Sequence, residues 1–238
     1  MRNGLLYSGS RNNRWTTTDR QMKTQIRIDK IRVTVGKYRI KISTLDEPLT
    51  FTREIVEKYG LKEGTVITVP QLEQLKSEAE WSACDCEVAR LLALREHSVG
   101  EIKVKLTRKR FDRELIERIV ERYRRKGLLD DAHFAWTVAR SVLERRPAGR
   151  SYLVAYLRRK RIERVLAERT VDMMLAGRDD ADLAAEALRR RWSHFSQFDL
   201  ETARRKAYNY LSRRGIGYEA SKAAFELLCK AQEEGSDD

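Results

Sequence analysis

Cysteine is scarce in this chain. Cys84, Cys86 and Cys229 make an odd number in 238 residues without a secretory signal. That argues against a disulfide framework and for a reducing, cytoplasmic compartment. Cys84-Asp-Cys86 has one intervening residue where zinc pairs have roughly two to four, and no second Cys/His cluster answers it. His97, His133 and His194 lie far apart, on the first expected helix of each repeat, with no ligand spacing. No metal and no cofactor are expected. No run of about eighteen apolar residues occurs, so no membrane span is expected. There is also no phosphate-cradling glycine loop and no nucleophile motif, which argues against an ATPase, a nuclease or any other enzyme. Neither catalytic residues nor a small-molecule substrate are expected.

What the chain has in quantity is positive charge. Lys and Arg number 49 against 36 Asp and Glu, a net charge of +13 with a pI near 9.8. Such a balance steers association with a polyanion or an acidic partner. The apolar share, 41% against 36% charged, is lean for one deep core and suits long helices with much solvated surface.

A short phrase is written three times: Leu106-Thr-Arg-Lys-Arg-Phe111, Leu157-Arg-Arg-Lys-Arg-Ile162 and Leu211-Ser-Arg-Arg-Gly-Ile216. The leading leucines are 51 and 54 residues apart (157 − 106 and 211 − 157). Apolar residues agree at other fixed offsets as well: Ile102, Leu153 and Ala207 before the leucine, Val120, Val171 and Phe225 after it, then Tyr123, Met174 and Leu228. Repetition at this period indicates a stacked array, and an extended partner rather than chemistry in a pocket.

The first stretch, Met1 to Gln21, is polar and without periodicity; it reads as a disordered leader, with Met22 as an alternative start. The period then becomes two. Ile26/Ile28, Ile31/Val33/Val35 and Tyr38/Ile40/Ile42 alternate with polar residues, and Gly36-Lys37 suits a two-residue hairpin loop. Leu49 and Phe51 supply a third strand, Thr52 caps a short helix ending at Gly60, Thr65 to Val69 is extended, and Pro70 opens another helix. From Asp85 the period is 3.6 and strand signals vanish. Three helices per repeat are expected: 85–97, 101–109 and 112–126; 130–145, 149–160 and 162–175; 179–193, 199–213 and 217–232. Gly127 follows a cationic last turn as a helix-stopping glycine, and Asp130 and Asp131 read as caps for the next helix rather than as an acid/base pair. The predicted fold is mostly α: three tandem three-helix repeats in an elongated, curved array, preceded by a small α+β module. The expected organisation is a leader (1–23), the α+β module with its β-hairpin (24–80), and repeats at 81–127, 128–177 and 178–238, the last with a polar tail.

Leu94-Arg95-Glu-His-Ser98, Glu101-Ile102 and Lys105-Leu106, followed by Gly127-Leu128-Leu129-Asp130-Asp131 with Phe134-Ala135 and Arg140, resemble the RecX regulatory family. The likeness runs from about Asp85 to Leu228, and Tyr59-Gly60-Leu61-Lys62-Glu63-Gly64 is similar to a β-containing extension of some members. One departure stands out: the family's second repeat carries Lys-Gly before the isoleucine, where this chain has Lys160-Arg161-Ile162. The resemblance implies a cytoplasmic modulator of the RecA recombinase that lies in the groove of the RecA–DNA filament. It implies inhibition of strand exchange and ATP hydrolysis, a place in homologous recombination, DNA repair and the SOS response, and weak binding of single-stranded DNA. The residues expected to contact partner or nucleic acid are the repeated cations Arg108, Lys109, Arg110, Arg158, Arg159, Lys160, Arg161, Arg213 and Arg214. Cations in a last helical turn are also favoured by the helix dipole with no partner at all, by about 0.3–1 kcal/mol. A second reading, a helical protein that competes for single-stranded DNA, draws on Trp81, Trp136, Trp192, Tyr152 and Tyr208 as stacking platforms, although packing is their default role.

Overall fold

A computed structural model describes residues 26–34 and 37–234. The expected leader therefore lies outside the described residues, as do Val35 of the expected first strand and Gly36 of the expected hairpin loop. The chain divides into two compact units between Asp85 and Cys86.

The first unit carries β1 (Ile26–Thr34), β2 (Lys37–Ile42), β3 (Leu49–Thr52), α1 (Arg53–Lys58) and β4 (Val66–Ile67). The sheet is antiparallel in the order β3-β2-β1-β4. Thr34 pairs with Lys37, so Lys37 belongs to β2 rather than to the loop. The two apolar phases noticed in sequence, even at Ile26/Ile28 and odd at Ile31/Val33, belong to a single strand. A register shift between Ile28 and Lys30 turns the alternation over. Ile26, Ile28, Ile40, Ile42, Phe51, Ile55 and Ile67 fill the core, with Leu72 and Leu75 from the helix that follows.

That helix, α2 (Val69–Leu94), is continuous over 26 residues. Thr68 starts it with a capping box: its amide donates to Gln71 Oε1 (2.8 Å) and its Oγ1 accepts from the Gln71 amide (3.5 Å). The helix expected at 85–97 is thus the second half of a longer one, because no breaker stands between Pro70 and Leu94. His97 lies beyond it, in the connection to the next helix, and not on a first helix as the sequence reading had it.

The second unit continues with α3 (Val99–Arg108) and α4 (Arg113–Arg125), which complete the first repeat. The second repeat is α5 (Asp131–Arg145), α6 (Arg150–Arg159) and α7 (Arg164–Leu175). The third is α8 (Asp180–Arg189), α9 (Trp192–Phe195), α10 (Leu200–Ser212) and α11 (Tyr218–Glu234). The third repeat therefore holds four helices: the helix expected at 179–193 stops at Arg189, and the short α9 turns Phe195 into the core and Trp192 onto Phe225. The positions that matched across repeats are its core. Ile102, Leu153 and Ala207 are fully buried, as are Leu106, Leu157 and Leu211, and Val120, Val171 and Phe225 are at most 3% exposed.

The recurring phrase is a helix stop. In each copy the residue before the final apolar one has positive φ: Arg110 at 63°, Arg161 at 64° and Gly215 at 71°. The amides of Phe111, Ile162 and Ile216 return to the carbonyls of Leu106, Leu157 and Leu211, at 3.3, 3.1 and 3.2 Å. The amides of Arg110, Arg161 and Gly215 return to Thr107, Arg158 and Ser212, each at 2.9 Å. These are the paired bonds of the Schellman motif, whose apolar contact joins the first and last residues of the phrase. Arg161 adopts the left-handed conformation that the missing glycine would have taken, at a steric cost of about 1–2 kcal/mol.

Candidate interaction surface

Two of the three stops dock on the repeat before them. The second lies against the N-terminus of α3, where Ser98 Oγ accepts from the Glu101 amide (3.0 Å) and donates to the Lys160 carbonyl (2.6 Å). Gly100 faces Arg161 so closely that a Cβ there would stand 2.6 Å from the Arg161 carbonyl oxygen. The third stop meets the N-terminus of α6: the Gly149 amide donates to the Arg214 carbonyl (2.8 Å) and Ser151 Oγ to the Gly215 carbonyl (3.2 Å). A donor at one helix start, the Ser98 hydroxyl or the Gly149 amide, thus satisfies an orphan carbonyl at the next helix end.

Asp130 and Asp131 part company at the first junction. Asp130 caps α5, accepting from the amides of Ala132 (2.8 Å) and His133 (3.0 Å). Asp131 reaches out of its own helix to accept from the Val99 amide (2.8 Å) at the start of α3, and burial raises its pKa. Both act as caps, but Asp131 caps a helix of the neighbouring repeat. Buried His97 completes this corner; its Nδ1 meets the Arg95 carbonyl (2.9 Å), its Nε2 meets Lys105 Nζ (3.0 Å), and burial lowers its pKa.

The cations expected to bind a partner are distributed unequally. At the first stop Arg108 and Arg110 are exposed, and Lys109 pairs with Glu87 (2.8 Å). Glu87 also receives Arg90 (2.7 Å), and these two cations, Arg90 foremost, hold its carboxyl down to about 2. At the second stop Arg158 donates to the Ile162 carbonyl (3.5 Å), Arg159 lies over the Tyr156 ring (5.4 Å), and Lys160 Nζ is 4.0 Å from Glu101. Arg161 is exposed while its backbone fills the junction. At the third stop Arg213 is exposed, and Arg214 is half-buried, donating to the Pro147 carbonyl (3.0 Å) above the Tyr210 ring (4.4 Å).

The repeated phrase did not single out the cations upstream of it. Arg95, Arg145 and Arg146, with Lys160 of the phrase itself, line a groove of about 610 Å³ together with Glu96, Tyr156 and the α5 residues Phe134, Val138 and Val142. Of the aromatic residues considered for stacking, Trp136 is 42% exposed; Tyr152, Trp192 and Tyr208 are half-buried against other rings. Trp81 is half-buried as well. Among the described residues no group of three or more His, Cys, Asp or Glu is placed to hold a metal, and no helix is long and apolar enough to cross a membrane.

An array of helical repeats, in which the second and third helix stops dock on the repeat before them, defines a helical-repeat protein with exposed cations at its helix stops. The comparisons give it a family. Residues 88–122 match the family model described as RecX, first three-helix domain. A regulatory protein RecX of Pelodictyon phaeoclathratiforme is 34% identical over 139 residues, 58% of this chain and 84% of that protein. Another, from Syntrophotalea carbinolica, is 35% identical over 143 residues, 58% of this chain and 90% of that protein. Among solved structures, a crystal structure of regulatory protein RecX superposes with a TM-score of 0.59 at 18% identity, covering 83% of this chain and 97% of that one. The RecX of Lactobacillus salivarius gives 0.55 at 16%, covering 63% and 96%. The chain belongs to the RecX family of regulatory proteins.

Proposed function

We propose that the chain is a non-enzymatic, cytoplasmic regulator that binds the RecA–DNA filament, lies in its groove, and inhibits strand exchange and ATP hydrolysis. Family membership carries the reading. The repeat supports it, since exposed cations recur at the helix stops, at Arg108 and Arg110, Arg159 and Arg161, and Arg213. A filament offers a partner with a matching periodic character. The test is RecA ATP hydrolysis on preformed filaments while free single-stranded DNA is titrated in. Inhibition that persists supports filament binding; inhibition that is absorbed in proportion to added phosphate supports the second reading, competition for single-stranded DNA, which the cationic groove beside Tyr156 favours.

Replacing Arg159 and Lys160 together with alanine is expected to weaken filament inhibition while circular dichroism stays nearly unchanged. Arg159 is exposed and Lys160 half-buried at a long 4.0 Å from Glu101, and charge losses of this kind cost under about 1 kcal/mol. Loss of folding in that variant would make the pair structural and remove it from the binding surface.

A further inference from the structure

Three arginines from different segments converge beside the second junction: Arg146 after α5, Arg191 before α9 and Arg214 at the third stop. Each is laid against a tyrosine. Arg146 lies 5.4 Å from the Tyr152 ring centre and donates to the hydroxyl of that residue (2.6 Å). Arg214 and Arg191 share the Tyr210 ring, at 4.4 and 5.3 Å. Among the described residues, none of the three has a carboxylate partner. Burial, then the charges of Arg146 and Arg191, hold the Arg214 pKa below the ordinary guanidinium value. Like charges gathered without a counterion are unfavourable, and a bound anion would reverse that.

We propose that Arg146, Arg191 and Arg214 form a binding site for a phosphate of a single-stranded nucleic-acid backbone. Guanidinium forks suit phosphate oxygens bidentately, and the tyrosine rings restrict where the forks can point. Arg146 also lines the groove with Arg95, Arg145 and Lys160, beside Glu96, so the site opens onto a groove in which cations outnumber carboxylates. The rings of Tyr152 and Tyr156 stack along the same direction, 6.2 Å apart. Cations already cover Tyr152, Tyr156 and Tyr210, which leaves those faces closed to base stacking and makes the contact one with backbone rather than sequence. Carboxylates of an acidic peptide would meet the same forks, and competition by polyglutamate separates the two.

The test uses the full chain and a fluorescein-labelled oligothymidylate, with no recombinase present, so its failure is separable from failure of the filament reading. Arg146→Gln with Arg191→Gln is expected to weaken binding about tenfold. It should also flatten the log affinity against log salt slope by about 0.7, the share of the one phosphate the site holds. Arg191→Glu alone, at an exposed position between helices, guards against misfolding of the double variant and is expected to lose at least as much. Arg140→Gln, whose guanidinium is already paired with Glu144 (2.8 Å), should change neither quantity. Unchanged affinity and slope in a folded double variant overturn the proposal, as does an equal loss in Arg140→Gln. Displacement of the probe by polyglutamate as effective as by unlabelled oligothymidylate overturns it in favour of an acidic protein partner.

Discussion

At the first junction glycine stands on the helix side, at Gly100, and an arginine takes the left-handed turn at Arg161. At the second the turn is Gly215, and the helix starts at Gly149. The contacts are equivalent: a stop carbonyl receives a donor from a helix start, Ser98 Oγ in one case and the Gly149 amide in the other. What the joint requires is closeness between backbones, and either partner can supply it by shedding a side chain. The third repeat differs from the other two at this position. The position matching Ser98 and Gly149 is Ala203, inside α10, which begins at Leu200 and is 13 residues long where α3 and α6 have 10. The extra turn puts a helix interior where the other two repeats have a helix start.

Gly149→Ala should break the comparison most sharply. Its Cβ would be driven into the Gly215 carbonyl oxygen, backbone against backbone, and a loss of about 3 kcal/mol is expected in urea unfolding. Gly100→Ala opposes Arg161 Cβ and the Arg161 carbonyl oxygen at 2.5 and 2.6 Å, a slightly wider approach than the one at Gly149, and should lose about 2 kcal/mol. If the two variants lost stability in the opposite order, the junctions would not be interchangeable in the way described. Ser98→Ala removes a cap and an inter-repeat bond at once, for about 1.5 kcal/mol with nothing comparable at Gly149.

The first stop, which no earlier repeat receives, is held instead by Glu87 through Lys109. Because the folded Glu87 pKa lies near 2, below its ordinary 4.5, the pair stabilises fully above about 4.5 and fades as pH falls toward about 2. Acid titration of the fold should lose part of its slope in that window in Glu87→Gln. Arg161→Gly is the smallest effect: relief of the left-handed strain, offset by the entropy of glycine, should stabilise by about 0.5 kcal/mol. A destabilised Arg161→Gly would mean that the arginine side chain itself holds the junction.

The mostly helical fold and the small strand module were legible because each rests on period. The helix stops were visible as a phrase, with their apolar ends legible as core and their cations as partner contacts or dipole caps. The register shift in β1 was not legible, since a bulge shows in sequence only as two phases that look like two strands. The Arg146–Arg191–Arg214 cluster was equally hidden; its members sit 45 and 23 positions apart (191 − 146 and 214 − 191), and only Arg214 belongs to the repeated phrase.

Sequence alone determined where helices stop, because a Schellman motif is closed by bonds five and three residues back, within reach of the chain itself. The same holds for Asp130, whose cap is two and three residues away. Only the tertiary structure decided that two stops become joints and that Asp131 serves a helix 32 residues earlier. Those bonds span 32 to 67 residues. Contacts over such separations are fixed by the packing of whole repeats, and no local pattern encodes them.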